Sequence, residues 1–287
     1  MEQLKLKHMP KDHAQCIINF INEKRGEPKV REAYVNQLLR EDILTLLDSY
    51  CTVVYFPIED ESNNGFHMER DDSHFVYINT NQTKEKQIFT AAHELGHIWG
   101  LDRYICKSLG IKVDEESCEQ FMNRFAAELL MPMDLCMAFI KRKLDEYPQA
   151  DRTMLVRDLI RVVAAVMNEY FVPYKAVVRR MFELNIIPEP TAVLLLDGSD
   201  TVTPDVIDRF LRSVAQEAGY SRLFQTDQKR WIVNLQDMLD KAEKEKSLPI
   251  ERVQSIREQF GLTSVVSSKG LLDSLSLQKE KGGDSIG

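Results

Sequence analysis

The fold is most readily predicted from the motif His93-Glu94-Leu95-Gly96-His97. On a helix, residues four apart lie on the same face, so the two imidazoles can bind one metal ion together. The carboxylate of Glu94 then lies close to the metal's open coordination position, where it can accept a proton from water. The pattern H-E-x-x-H therefore predicts a zinc hydrolase and names two ligands and a general base.

The residues around this motif favour a helix. Thr83 can cap its N-terminus, apolar residues at positions 88, 92, 95 and 99 recur at helical spacing, and Gly100 can end it. The alternative is a helix whose two histidines have only a structural role.

A catalytic zinc ion usually has three protein ligands. No histidine follows His97 in the sequence, so the third ligand must be a carboxylate or a cysteine. Glu119 is our first choice, because it begins a segment over 119–132 whose apolar stripe could pack against the first helix. Spacing alone leaves three competing carboxylates open, namely Glu115, Glu116 and Glu128.

Two motifs in the chain resemble those of the ImmA/IrrE family of metallopeptidases. They are Phe89-Thr-Ala-Ala-His-Glu-Leu-Gly-His97 and, after Glu119, Asn123-Arg-Phe-Ala-Ala-Glu-Leu-Leu-Met-Pro132. The resemblance extends from about residue 51 to residue 190. It implies that one Zn²⁺ ion is bound by His93, His97 and Glu119, and that Glu94 is the catalytic base.

The resemblance also implies a thermolysin-like (gluzincin) fold and a protein substrate. That substrate would be an intracellular regulator such as a transcriptional repressor of a phage or mobile element. Zinc would lower the pKa of its water to roughly 7, and Glu94 would carry the proton to the leaving amine. The candidates for stabilising the oxyanion are Tyr77, Tyr104 and Tyr170, and Asn123 could orient a ligating imidazole.

The predicted fold class is α+β, with a mostly helical, zincin-like core, a small antiparallel sheet and a helical C-terminal region. The first fifty residues carry apolar helical faces, and residues 52–57 and 75–78 are rich in β-branched and aromatic side chains. An exposed sheet edge within residues 64–78 would bind the substrate backbone as an added strand.

Four parts of the chain are predicted. A metallopeptidase core covers residues 1–150, and a helix-turn-helix-like segment covers 151–190, with a helix opened by Asp151. Two prolines, at positions 188 and 190, indicate the next boundary. A C-terminal helical domain without an assignable chemistry follows over 191–262, and a disordered tail covers 263–287.

The composition is that of an ordinary globular protein. Its 37 basic and 45 acidic residues give a net charge of −8, which disfavours general binding to nucleic acid or anionic membranes. Neither an export signal nor a long apolar segment is evident, so we expect a cytoplasmic protein.

The five cysteines form no C-x-x-C pair and should be reduced thiols. Cys118 could be a soft metal ligand or redox sensor, but a small buried hydrophobe is favoured.

Two other functions compete with the peptidase. One is a zinc-binding regulatory or sensor protein that acts by binding a partner without hydrolysis. The other is DNA binding through residues 152–187. Residues 151–187 contain six basic and four acidic residues, or a charge of +2, which is more typical of a solvated helix face than of a groove-binding surface.

Overall fold

The computed structural model describes residues 6–33, 38–60, 62–71, 73–147, 154–199 and 202–262. The chain divides into two compact units, Met1–Lys229 and Arg230–Gly287. The four-part division stays a prediction, and both the helix start at Asp151 and the tail over 263–287 lie outside the described residues.

The first unit begins with helices, continues with strands and ends with helices. Before the metal-binding motif it contains α1 (Lys11–Arg25), α2 (Pro28–Ala33), α3 (Asp42–Asp48), β1 (Thr52–Phe56), β2 (Gly65–Arg70) and β3 (Ser73–Asn79). From the motif onward it contains α4 (Lys84–Trp99), α5 (Leu101–Leu109), α6 (Glu115–Leu130), α7 (Met133–Leu144), α8 (Val156–Tyr170), α9 (Tyr174–Glu183), α10 (Glu189–Asp197) and α11 (Pro204–Glu217).

The second unit is smaller. It contains β4 (Trp231–Ile232), α12 (Leu235–Glu245) and α13 (Ile250–Gln259). The two helices bury a small apolar core of Leu235, Leu239 and Val253. Across the described part of the chain, no helix is both long and apolar enough to cross a membrane.

The strands of the first unit form a mixed sheet in which β3 lies between β2 and β1. β2 pairs with β3 antiparallel, whereas β1 pairs with β3 parallel. The α+β class is confirmed, but the predicted antiparallel sheet is wrong for the second pairing. The reason is that residues 57–64 carry the chain from the end of β1 past β3 to the far edge, so β1 and β3 run in the same direction.

Helices α4 and α6 pack closely against each other, and this contact positions the site. A Cβ atom on Gly96 would lie 2.7 Å from Sδ of Met122 and 3.0 Å from Cδ1 of Phe125, so a larger residue would require these side chains of α6 to move. α4 ends at Gly100, whose φ of 73° is left-handed and favours glycine. α6 begins after Asp114, whose carboxylate accepts a hydrogen bond from the Ser117 N–H at 2.8 Å.

A buried asparagine fixes the loop that leads into β2. The side-chain amide of Asn79 donates to the carbonyls of Ile58 at 3.0 Å and Asn63 at 2.8 Å, and its oxygen accepts from the Ile58 N–H at 3.0 Å. Asn79 itself is fully buried. These bonds replace the regular pairing that a loop lacks, and they hold the sheet edge beside α4.

Candidate metal centre and active site

Helices α4 and α6 bring three potential metal ligands together. Nε2 of His93 lies 3.2 Å from Oε2 of Glu119, and Nε2 of His97 lies 3.5 Å from Oε1 of the same carboxylate. The ligand atoms of the three residues all lie within 4.8 Å of one another. Two of them come from one face of α4 and the third comes from α6.

The geometry and the donor set both fit a metal ion. Ligands about 2.0–2.1 Å from a tetrahedral zinc ion are separated from each other by about 3.3 Å. The two contacts of Glu119, at 3.2 and 3.5 Å, agree with that spacing. Two imidazole nitrogens and one carboxylate oxygen are donors that zinc accepts readily. His93, His97 and Glu119 thus form a group that could bind a metal.

Asn123 fixes the orientation of one imidazole. Its Oδ1 lies 3.2 Å from Nδ1 of His93. Because an amide oxygen can only accept, Nδ1 carries the proton and Nε2 keeps the lone pair that a metal needs. Burial is the main cause that lowers the pKa of His93 and of His97, so both rings favour the neutral form that binds metals.

Glu94 lies on α4 beside the ligands and is only 5% exposed. Burial, and then the nearby carboxylate of Glu119, raises its pKa to about 8. A cation among the ligands would favour the charged carboxylate again. Glu94 therefore has the environment of a proton carrier, because modest changes nearby alter its protonation near neutral pH.

The other carboxylates considered as ligands lie elsewhere. Glu115 and Glu116 are exposed in the first turn of α6. Glu128 is buried and accepts a hydrogen bond from Nη2 of Arg180 at 2.7 Å, and Nη2 of Arg124 lies 3.3 Å away. These arginines compensate the charge of Glu128, so it has no need of a metal ion.

Cys118 is half-buried, and burial raises the pKa of its thiol to about 11. Among the described residues, the group of potential metal ligands does not include it. A protonated thiol is a poor ligand for zinc.

The site opens into a cavity of about 2240 Å³ within the first unit. Residues of α4, α6 and β2 line it, together with residues of the loop before β2 and of α9 and α11. None of the three tyrosines considered for oxyanion stabilisation is among the described residues that line it. Tyr77 donates to the Phe56 carbonyl, Tyr104 donates to Glu23, and Tyr170 is buried.

His67 is a cavity residue that the sequence analysis did not identify. It lies on β2, and its ring is stacked over that of His97 with centroids 6.0 Å apart and an angle of 14° between the planes. Alternation along β2 would have grouped it with Gly65, but nothing in the sequence indicates which strand face meets α4.

The chain was compared with known protein families. The peptidase M78 family model, described as the IrrE N-terminal-like domain, matches residues 48–182. The match covers a little under half of the chain. The resemblance predicted over about residues 51–190 is confirmed, and it supports a function of the metallopeptidase type. The IrrE N-terminal-like domain includes the whole sheet of the first unit and all three potential ligands. No curated protein sequence matches the chain.

The segment considered for DNA binding is largely a packing element of this domain. α8 and α9 bury most of their apolar side chains, and the Arg180 side chain is fully buried. Its Nε donates a hydrogen bond to the Met131 carbonyl at 3.1 Å. The guanidinium group therefore bonds to groups inside the protein and does not face a DNA phosphate.

Proposed function

We propose that the protein is a zinc-dependent endopeptidase that hydrolyses a peptide bond in an intracellular regulatory protein. A transcriptional repressor of the phage or mobile-element type is the substrate class that the family resemblance favours. The single observation that carries this proposal is the convergence of His93, His97 and Glu119, with the buried carboxylate of Glu94 next to them. The IrrE N-terminal-like match over residues 48–182 supports the same reaction class.

Each residue has a defined task in this reaction. A bound zinc ion would supply Lewis-acid polarisation of the peptide carbonyl and make water more acidic. Glu94 accepts the proton of the attacking water and delivers it to the leaving nitrogen. Asn123 keeps His93 in the tautomer whose Nε2 faces Glu119.

The shape of the site favours a polypeptide substrate. Its cavity of about 2240 Å³ is larger than the roughly 300–1,000 Å³ that small ligands usually occupy. β2 lies at the edge of the sheet in the first unit and borders this cavity. An extended peptide can add to such an edge through backbone hydrogen bonds, which brings its carbonyl groups to the ligands on α4.

The direct test is cleavage of a repressor encoded next to the gene. Purified protein with one equivalent of Zn²⁺ should convert the repressor into discrete fragments. Glu94→Gln should give none, since the amide cannot accept the proton. Glu115→Gln is the matched control, because Glu115 is an exposed glutamate in the first turn of α6, and it should cleave like the wild type.

Two outcomes would remove the proposal. If Glu94→Gln cleaves as fast as the wild type, the fragments come from another activity. If the wild type binds the repressor without cleaving it, and Glu94→Gln remains active in cells, the protein is a zinc-binding regulator that acts through partner binding.

A further inference from the structure

We propose that His67 touches the substrate and donates a hydrogen bond to the carbonyl oxygen that becomes negative during hydrolysis, and that His74 positions it for this task. This inference rests on the proposed peptidase function. It assigns a role to a histidine pair that lies outside the group of potential metal ligands.

The backbone of β2 directs His67 toward the site. A Cβ atom on Gly65 would lie 2.8 Å from Cγ2 of Thr90, so this face of β2 points to α4. Side chains two residues apart on a strand share a face, and His67 therefore points to α4 as well. Its ring lies parallel to that of His97, with 6.0 Å between the centroids. The distance is too long for direct bonding but leaves room for a peptide carbonyl near both rings.

His74 is the neighbour that sets the tautomer of His67. Nε2 of His67 lies 2.9 Å from Nδ1 of His74, across the antiparallel pair of β2 and β3. One of these nitrogens must carry the shared proton. When Nδ1 of His74 donates, Nε2 of His67 accepts, and the proton of His67 lies on its Nδ1. That N–H group is then left to donate to a ligand.

Three other aromatic side chains of the cavity that could donate make contacts away from the ligand group. Tyr174 lines the cavity, but its hydroxyl donates to the Leu195 carbonyl at 3.1 Å. His8 and His13 also line the cavity, and their rings lie against Phe182 and Phe121. Of the described imidazoles that border the cavity, His67 is the one that stacks on a metal-ligand candidate without belonging to the ligand group.

Electrostatic stabilisation of a developing oxyanion requires a donor that is already in place before the reaction. His67 meets this requirement because the strand fixes its backbone and the hydrogen bond to His74 fixes its side chain. The reaction needs no covalent change at His67, which only donates and then withdraws one hydrogen bond.

The first experiment measures binding of a tetrahedral mimic to the zinc-loaded full chain. The probe is a phosphinic pseudo-peptide, whose charged oxygens resemble the oxyanion, and its dissociation constant is obtained by calorimetry. His67→Phe keeps the flat ring but lacks the donor, and we expect binding about 10²-fold weaker, as for loss of one oxyanion donor. His67→Gln retains an N–H group and should recover part of the affinity. Arg70→Gln changes an exposed residue of β2 that is not among the described residues lining the cavity, and this control should bind like the wild type.

The zinc dissociation constant of each variant is measured in parallel with a chromophoric chelator. It should not change in His67→Phe, since His67 is not a ligand. Equal binding of the probe by His67→Phe and wild type would overturn the inference, as would no binding of the probe to the wild type. A zinc affinity weakened as much as the probe affinity would also overturn it, because the effect would then pass through the metal.

The second experiment reads the tautomer without any metal. Proton–nitrogen correlation spectra of the metal-free protein should show His67 protonated on Nδ1, and His74→Phe should move the proton to Nε2. A wild-type His67 protonated on Nε2 would overturn the role of His74.

Failure of the peptidase proposal would look different. It would appear as repressor cleavage that is insensitive to Glu94→Gln, whatever the result for His67. If the wild type cleaves and Glu94→Gln does not, a normal His67→Phe removes only the present inference.

Discussion

Helix α6 carries two glutamates whose surroundings are opposite. The Glu119 side chain is 52% exposed, and the two imidazoles are its ion-pair partners among the described residues. The Glu128 side chain is 8% exposed, and its partners are two permanently charged arginines. The charge of Glu128 is therefore compensated by arginines, in what we call the complete cluster, whereas Glu119 has only imidazole partners among the described residues.

Position on the helix and the type of neighbour distinguish a glutamate that could bind a metal from one with a structural role. The two glutamates are nine residues apart, or about two and a half turns, so they point to opposite sides of α6. Glu119 faces two imidazole rings, and the three side chains together could bind a cation. Glu128 joins α6 to α9 through Arg180, and its charge is already compensated.

The largest effect should come from breaking the complete cluster. Glu128→Ala leaves the fully buried Arg180 without the carboxylate it contacts at 2.7 Å. Removing one partner of a buried ion pair typically costs about 3–5 kcal/mol. Because Glu183 remains 3.4 Å from Nη1 of Arg180, we expect a loss of about 3 kcal/mol in the free energy of unfolding. Urea denaturation of the metal-free protein measures it.

The matched variant is Glu119→Ala. It removes an exposed carboxylate and should change the free energy of unfolding of the metal-free protein by no more than about 0.5 kcal/mol. Similar losses in the two variants would show that the two clusters do not differ in the way described.

For zinc affinity we expect the opposite ranking of the two glutamates to that for stability, with the larger loss at Glu119. Glu119→Ala removes a direct ligand, so we expect a loss of zinc affinity greater than the ~10–100-fold that follows loss of an outer residue. Glu128→Gln, which keeps the volume of the side chain, should bind zinc like the wild type. Competition with a chelator, together with metal analysis of the purified proteins, gives both values. Unchanged affinity in Glu119→Ala would exclude it as the third ligand.

Much of this contrast could be predicted from the sequence, because local rules govern it. The spacing of His93 and His97 on a helix, the helix start after Thr83 and the stop at Gly100 depend on residues close together in the chain. The predicted cap itself is wrong in one respect, because the Thr83 side chain makes no capping hydrogen bond. The family motif then selected Glu119 from four glutamates. Helical geometry alone could have separated Glu128 from Glu119, since nine residues do not return to the same face.

What the sequence did not predict depends on contacts between distant segments. The order of the strands places β3 between β1 and β2, and no local pattern encodes that crossing. For the same reason His67 was missed, and the three tyrosines were considered although none of them lines the cavity. The partner of Glu128 is Arg180, 52 residues away in the chain, and no local pattern indicates that the two side chains meet.

A smaller loss of zinc affinity should follow from Asn123→Ala. The variant keeps all three ligands but removes the amide oxygen 3.2 Å from Nδ1 of His93, so the ring can adopt either tautomer. Loss of such an outer residue typically weakens metal binding about 10–100-fold. Asn123→Asp should retain the affinity, because a carboxylate oxygen also accepts from Nδ1. If both variants bind like the wild type, the hydrogen bond has no part in holding the ligand.

The smallest effect should come from Cys118, the residue directly before Glu119. Among the described residues Cys118 does not belong to the group of potential metal ligands, and adjacent helical residues do not share a face. Cys118→Ala should therefore leave the zinc dissociation constant unchanged within the precision of a chelator titration. Cobalt-substituted protein gives an independent check, because a thiolate ligand produces an intense charge-transfer absorption. We expect the wild type to lack this band and to have the same spectrum as Cys118→Ala. A band that is present in the wild type and abolished by the substitution would show that sulfur is a ligand, and Glu119 would then not be the single ligand that α6 supplies.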